Sequence, residues 1–423
     1  MVCGDPCYVN YVQILREELQ PAMGCTEPIA LAYAAAKARS VLGASPERIV
    51  AEVSGNIIKN VKSVVIPHTG GLRGIPAAIA AGAVAGNPDG ELEVLSSVTE
   101  AEIQKIEAYL QSTPIEVRCA DTPHIFDIQI TAFCGADSAF VRILDYHTNI
   151  ACIRRNDQTL LEKECITREE GLTDRSCLTV EGIVAFADCV NLEDVRQVLE
   201  QQISCNMAIA EEGLRGNYGA NIGKIILQNG NDINYKMRAW AAAASDARMN
   251  GCEKPVIINS GSGNQGITAS VPVIVYARET GKTQEELLRA LCVSNLVTTH
   301  LKTGIGRLSA YCGVVSAGVG AGAGLAYLKG GNFKTVAHTV VNAVAVTSGI
   351  ICDGAKASCA AKIATAVDAG ILGLAMYENE NQFFGGDGIV KKGVENTIAT
   401  VGRLARVGME QTDKEIIHLM MET

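Results

Sequence analysis

The chain has 423 residues, 48% hydrophobic and 19% charged, with 36 basic side chains against 46 acidic ones for a formal charge of −10. This composition excludes a disordered chain, and the acidic balance argues against a general nucleic-acid or anionic-membrane surface. The 15 cysteines are odd in number, and MVCGDPCYVN lacks a basic stretch followed by an apolar run, so a reduced, cytoplasmic setting is expected in which most thiols pack as small hydrophobes.

Residues 8–40 read as two helices around a break at PAMGCTEP, the second resuming with Pro28, a residue suited to a first helical turn. Short, alternating β-branched runs follow: RIVAEVS, ELEVLSS, PIEVRCA, FDIQITAF, AFVRILD and NIACIRR. Two helical pieces, GIPAAIAAGAVAG and TEAEIQKIEAYLQ, interrupt them. After about residue 175 the pattern turns helical, with LEDVRQVLEQQI, YKMRAWAAAASDARM, TQEELLRALCVSNLVTTHL, NFKTVAHTVVNAVAVTSGI, SCAAKIATAVDAGILGLAMY and GVENTIATVGRLARVG separated by Gly/Asn/Ser loops. The expected fold class is α+β. A mixed α/β N-terminal part (1–174, strands mainly within 45–170) packs on a mostly α-helical C-terminal part (175–423), and the N-terminal helices pack on the helical part. Leu308–Leu328 is 21 residues long without Asp, Glu, Lys or Arg, enough to span a bilayer. Gly and Ala make up ten of its 21 residues and it has no flanking charge or aromatic pattern, so it reads as a buried helix and no membrane partner is expected.

Three groups of residues could carry chemistry. No CxxC occurs, so thioredoxin-type redox chemistry and zinc-ribbon pairs lose their usual support. Cys312 in SAYCGVV, with Cys352 and Cys359 in GIICDGAKASCA, forms a C-terminal set in Gly-rich surroundings. On one continuous helix Cys352 and Cys359 would stand about 10 Å apart, but Gly354 can break the helix and deliver Cys352 from a loop and Cys359 from a helix start. Three such thiolates suit an iron–sulfur cluster with one open iron; from spacing alone, three unrelated buried cysteines is the simpler reading. Cys25 in GCTEP stands before a helix start, where backbone N–H groups favour a thiolate; a plain helix-entry turn is the alternative. NSGSGNQG, residues 259–266, exposes backbone N–H groups that can cradle a carboxylate or phosphate, without the spacing of a P-loop or Rossmann turn.

A lysine followed by a Gly/Asn-rich loop, Lys236 ahead of that segment, also resembles the pyridoxal-phosphate eliminases of the tryptophan-synthase group, in which the lysine forms the Schiff base; the helical pattern after residue 175 speaks against that parallel-sheet fold. His68, Arg73, His300, Lys302, Arg307, Asp353 and Lys356 stand near glycine turns and are the charged groups a small zwitterionic substrate would require.

Taken in order, GCTEP at 24–28, SGNQG at 262–266, the YCG of residues 311–313 and CDGAK at 352–356 resemble the L-cysteine desulfidase family, itself related to the alpha domain of iron–sulfur L-serine dehydratases. The resemblance covers nearly the whole chain. It implies a serine-dehydratase-alpha-like C-terminal domain and an α,β-elimination of L-cysteine to sulfide, ammonia and pyruvate through aminoacrylate. It further implies a 4Fe–4S cluster held by Cys312, Cys352 and Cys359, and a substrate loop of Ser262, Gly263, Asn264, Gln265 and Gly266. Cys25 is assigned the role of catalytic base. The chain departs from the serine dehydratases in a shorter Cys352–Cys359 interval, in Gly354 where they have proline, and in having no cysteine after Cys359; Cys25 is the replacement ligand should Cys359 not serve. The alternatives are an iron–sulfur L-serine dehydratase, a pyridoxal-phosphate eliminase using Lys236, and a non-catalytic amino-acid-binding protein. The expected partner is a small amino acid, L-cysteine or L-serine, with no nucleic acid; homo-oligomerisation is open.

Overall fold

The structure is a computed structural model describing residues 6–23, 26–163, 172–306 and 309–422. The first part runs α1 (Pro6–Glu18), β1 (Pro21–Met23), α2 (Thr26–Leu42), β2 (Arg48–Val53), α3 (Gly55–Val61), α4 (Gly74–Ala85), α5 (Glu100–Ser112), β3 (Ile115–Cys119), β4 (Asp127–Cys134), β5 (Asp137–Leu144), β6 (Ile150–Arg155) and β7 (Gln158–Glu162). The strands β2 to β7 form a six-stranded sheet in the order β3-β2-β4-β5-β6-β7, parallel only between β2 and β3. Alternation selects its inner face: Ile128, Ile130 and Ala132 of β4 lie opposite Ile143, Val141 and Ala139 of β5, and all six are fully buried. Each such Ile or Val contributes roughly 1.5–3 kcal/mol of burial. The Ala-rich α2 lies between α4 and this face, so close to α4 that a Cβ on Gly82 would fall 2.0 Å from the Ala32 carbonyl oxygen.

The second part comprises α6 (Val180–Cys189), α7 (Arg196–Arg215), α8 (Ile222–Asn229), α9 (Ile233–Met249), β8 (Pro255–Ile257), α10 (Gly263–Glu279), α11 (Gln284–Ile305), α12 (Gly313–Leu328), α13 (Phe333–Thr347), α14 (Cys359–Glu378), α15 (Val394–Arg403) and α16 (Glu410–Met421). The apolar interior falls into two clusters, one under the sheet and one among these helices. Several links join the parts, three of them through secondary-structure elements. Tyr8, Tyr11, Ile14 and Leu15 of α1 enter the helical cluster, β1 pairs antiparallel with β8, and α16 returns to set Ile417 against Gly55.

Several expectations need correction. α2 covers the sheet rather than the helical part, because its alanines are buried on all sides and suit the narrow gap beside α4. ELEVLSS is no strand: Glu91–Glu93 is a 3-10 turn, and the adjacent Val94 and Leu95 are both buried, which two-residue alternation forbids. β7 escaped notice because it is an edge strand with almost no buried face. The helix expected over Leu308–Leu328 starts only at Gly313 and is enclosed by its neighbours. Among the described residues, α14 alone is long and apolar enough to cross a membrane, and half of its apolar window is buried.

Candidate active site

Three helices begin at one end of the helical part. A Cβ on Gly318 of α12 would fall 2.4 Å from the Ala366 carbonyl oxygen of α14, and one on Gly322 would fall 2.8 Å from Gly370, so the two helices run parallel and start level. Gly313, the first residue of α12, packs against the Gln265 side chain in the first turn of α10, where a Cβ would fall 2.7 Å from its amide carbon. Aligned helix starts concentrate partial positive charge where α10, α12 and α14 begin.

The cysteines sit there. Cys312 is the N-cap of α12 and Cys359 the first residue of α14. An antiparallel clip joins the segments before them: the Cys312 N–H donates to Ile350 O (3.0 Å), the Cys352 N–H donates to Ala310 O (2.6 Å), and Tyr311 bridges Ile351. Being one residue to either side of that bridge, Cys312 and Cys352 share a face. Interaction with the Cys312 thiol holds Cys352 well below the ordinary thiol range against the cost of burial, with Lys59, the Gly354 N–H and Lys362 assisting. The same interaction, with burial, pushes Cys312 up. Burial also raises Cys359, whose sulfur lies 3.5 Å from Gly354 O and within electrostatic reach of Cys352.

Four lysines surround these thiols. Lys59 of α3 is buried and paired with Asp413 of α16 at 2.5 Å. Lys302 near the end of α11 donates to Gly306 O (2.6 Å), and burial lowers its pKa while Cys352 and Cys312 oppose that shift. Asp353 binds Lys356 (2.5 Å) and Lys362, and Lys362 also donates to Ile351 O (2.9 Å). Gly354 has φ +93°, and a Cβ there would lie 1.7 Å from Lys59 O, so the cysteine loop leans directly on α3.

The segment 259–266 divides into a tight turn and a helix start. Asn259 and Ser262 exchange backbone hydrogen bonds (3.1 and 3.0 Å) around Ser260 and Gly261, both at positive φ. Gly263, Asn264, Gln265 and Gly266 already belong to α10, so the expected loop is a turn followed by a helix N-terminus that the Ser262 side chain does not cap. A buried amide network holds the turn: Asn259 Nδ2 donates to Asn295 Oδ1 (3.0 Å), and Asn295 and Gln202 exchange hydrogen bonds of 2.8 and 3.0 Å. Nothing in the sequence pattern marks Gln202 or Asn295.

Cys25 lies outside the described residues, as does Arg307. Next to Cys25 in sequence, Thr26 Oγ1 stands 2.8 Å from His147 Nε2, and Asn60 of α3 donates to Glu27 Oε1 (3.2 Å). The His147 ring packs on Phe126 with centroids 4.7 Å apart; burial lowers its pKa, with Glu27 opposing. His147 is a candidate proton carrier that sequence reasoning missed, since a lone histidine in DYHTN carries no pattern. Of the other charged groups, His68 pairs with Glu253 (3.2 Å), His300 pairs with Glu395 (2.6 Å), and Arg73 is exposed. Lys236 binds Glu279 at 2.6 Å, at the far end of α10 from Gly263. A 17-residue helix separates its ends by about 24 Å, so the Schiff-base reading loses its geometry.

Among the described residues, no three His, Cys, Asp or Glu side chains are arranged to hold a single metal ion. Cys312, Cys352 and Cys359, with lysines to offset thiolate charge, fit a multi-iron group in donor chemistry; terminal thiolates on different irons are held apart, so such a group would open the Cys312–Cys352 contact.

A family model described as the serine dehydratase alpha chain matches residues 89–418. A UPF0597 protein of Desulfitobacterium hafniense is 59% identical over 419 residues, covering 99% of this chain and 97% of its own length. UPF0597 proteins of Treponema denticola (48% identical, 98% of each chain) and Finegoldia magna (47% identical, 98% of this chain and 99% of its own) match over the same extent. The thiol-lined meeting point of α12 and α14 lies within the matched span, and the chain belongs to the serine dehydratase alpha chain family and to the UPF0597 proteins.

Proposed function

We propose that the chain is a carbon–sulfur lyase that eliminates sulfide from L-cysteine, leaving aminoacrylate, which takes up one water to give pyruvate and ammonia. The observation that carries this reading is the gathering of Cys312, Cys352 and Cys359 among Lys59, Lys302, Lys356 and Lys362, with Gln265 in contact with the residue after Cys312. These three cysteines would hold a 4Fe–4S cluster, which when bound supplies an open iron as a soft Lewis acid for the departing β-sulfur.

The chain's own residues do the remainder. Ser262, Gly263, Asn264, Gln265 and Gly266 receive the amino acid, with the N–H groups of the α10 start turned to its carboxylate. The lysines offset the charge of the thiolates. Cys25, as thiolate, removes the α-proton, and His147, within hydrogen-bond reach of Thr26 Oγ1, passes that proton on. The reading puts the protein in a reducing compartment, the cytoplasm. The family match favours L-serine as a second substrate, with hydroxide leaving in place of sulfide.

The test is anaerobic purification followed by iron and acid-labile sulfide analysis and assay of pyruvate from L-cysteine and from L-serine. Iron with pyruvate and sulfide from L-cysteine supports the reading; pyruvate from L-serine alone makes the chain a dehydratase. Amino-acid binding without product makes it a binding protein.

A further inference from the structure

The N-terminus of α10 has a cationic neighbour that none of the expected site residues includes. Arg248 lies in the last turn of α9, which runs to the same end of the helical part as the starts of α10, α12 and α14. Its side chain crosses directly over Gly263: a Cβ on that glycine would fall 2.3 Å from Arg248 Nε and 2.7 Å from the guanidinium carbon. Its Nη1 donates to Asn264 Oδ1 at 3.3 Å, which fixes the guanidinium plane against the first turn. Beside it, Gln265 is 6% exposed, and its Oε1 has no hydrogen-bond partner. That amide packs on Gly313, the residue after Cys312. A guanidinium, an uncapped helix start and a buried lone acceptor thus follow one another toward the thiols.

We propose that Arg248 binds the α-carboxylate of the amino-acid substrate together with the N–H groups of the α10 start, while Gln265 Oε1 accepts from the substrate's α-ammonium. The inference rests on the elimination reading and specifies how that site selects an α-amino acid. A planar guanidinium recognises a carboxylate through paired donors. A carboxylate also satisfies both the helix dipole and the uncapped N–H groups. The orphaned amide oxygen has no acidic proton to offer and needs a donor, which an ammonium supplies. With the two ends of the zwitterion held at residues 263–265, the β-substituent is directed past Gly313 to the thiol cluster. Glycine at 263 is required because any side chain would displace the guanidinium.

The experiment compares the anaerobically purified full chain with Arg248→Gln and Arg248→Lys. The readouts are KM and kcat for L-cysteine and L-serine, and binding of L-cysteine against cysteamine, which lacks the carboxylate. Arg248→Gln should raise KM roughly 10- to 100-fold, the worth of a charge-assisted hydrogen bond. Iron content and visible absorption should be unchanged, and the preference for L-cysteine over cysteamine should fall by the same factor. Arg248→Lys should recover part of it. Unchanged KM, or equal weakening for L-cysteine and cysteamine, overturns the role of Arg248 and leaves elimination standing. Wild-type chain that neither binds nor converts L-cysteine or L-serine overturns both.

Discussion

Replacing Gly354 by alanine tests whether the cysteine loop is set by its contact with α3. The residue has φ +93°, and the added methyl would stand 1.7 Å from the Lys59 carbonyl oxygen, about half an ordinary carbon–oxygen contact. A non-glycine residue in this backbone region costs about 1–2 kcal/mol by itself. The overlap adds about 1–3 kcal/mol, because backbone rather than a flexible side chain must yield. Together these give a loss of about 2–5 kcal/mol, or a fall of several degrees in Tm, on the order of 2 °C for each kcal/mol in a chain of this size. The larger expected effect is local, since moving the loop off α3 separates Cys352 from Lys59 and from Cys312. Gly349, five residues earlier, has nothing within 4 Å of an added Cβ and serves as the control. Gly354→Ala should melt lower and bind substoichiometric iron after anaerobic reconstitution, whereas Gly349→Ala should match the parent in both. A Gly354→Ala protein with parental Tm and iron content would refute the close approach of the loop to α3.

Cys312→Ala and Cys352→Ala should each lose iron and the broad visible absorption of a cluster, whereas Cys25→Ser should keep iron and lose turnover; loss of iron in Cys25→Ser would make Cys25 a ligand instead of the base. Lys236→Ala should leave pyruvate formation within about twofold of the parent, since a part-exposed ion pair is worth about 0–1 kcal/mol, and borohydride treatment should not inactivate the chain. Asp246 is 1% exposed, and burial raises its carboxyl to about 6 from 3.8, with the Gly223 N–H opposing. A raised carboxyl pKa stabilises the fold fully below the unfolded value and loses that contribution as pH rises through about 6. Asp246→Asn should therefore be more stable than the parent by up to about 3 kcal/mol at pH 7.5, a gap that closes toward pH 4 in denaturant melts; a gap independent of pH would exclude Asp246 as its source.

The long helices were legible because their apolar residues run over four or more turns, as in α11 and α14, and the paired strands because the middle residues of β4 and β5 alternate between buried and part-buried. The candidate site was legible only where a residue type is itself a signal: a cysteine beside glycine, or glycines in succession. Arg248, Gln202, Asn295 and His147 were not, because their roles arise from contacts across 16 to 121 residues of sequence and no local spacing encodes them. The turn-plus-helix character of 259–266 was hidden for a related reason. Glycine in a first helical turn looks like loop until one sees that Gly266 must let α10 approach β8, where a Cβ would lie 2.0 Å from Ile257 O.

The Lys59–Asp413 pair joins positions far apart in the order of synthesis. While a chain is growing, the ammonium destined for the thiol-lined interior lacks its carboxylate partner until α16 has emerged from the ribosome. A buried, uncompensated charge is among the most costly features a fold can carry. The carboxylate that lets Lys59 stay buried beside the thiols is thus supplied only when α16 docks on α3.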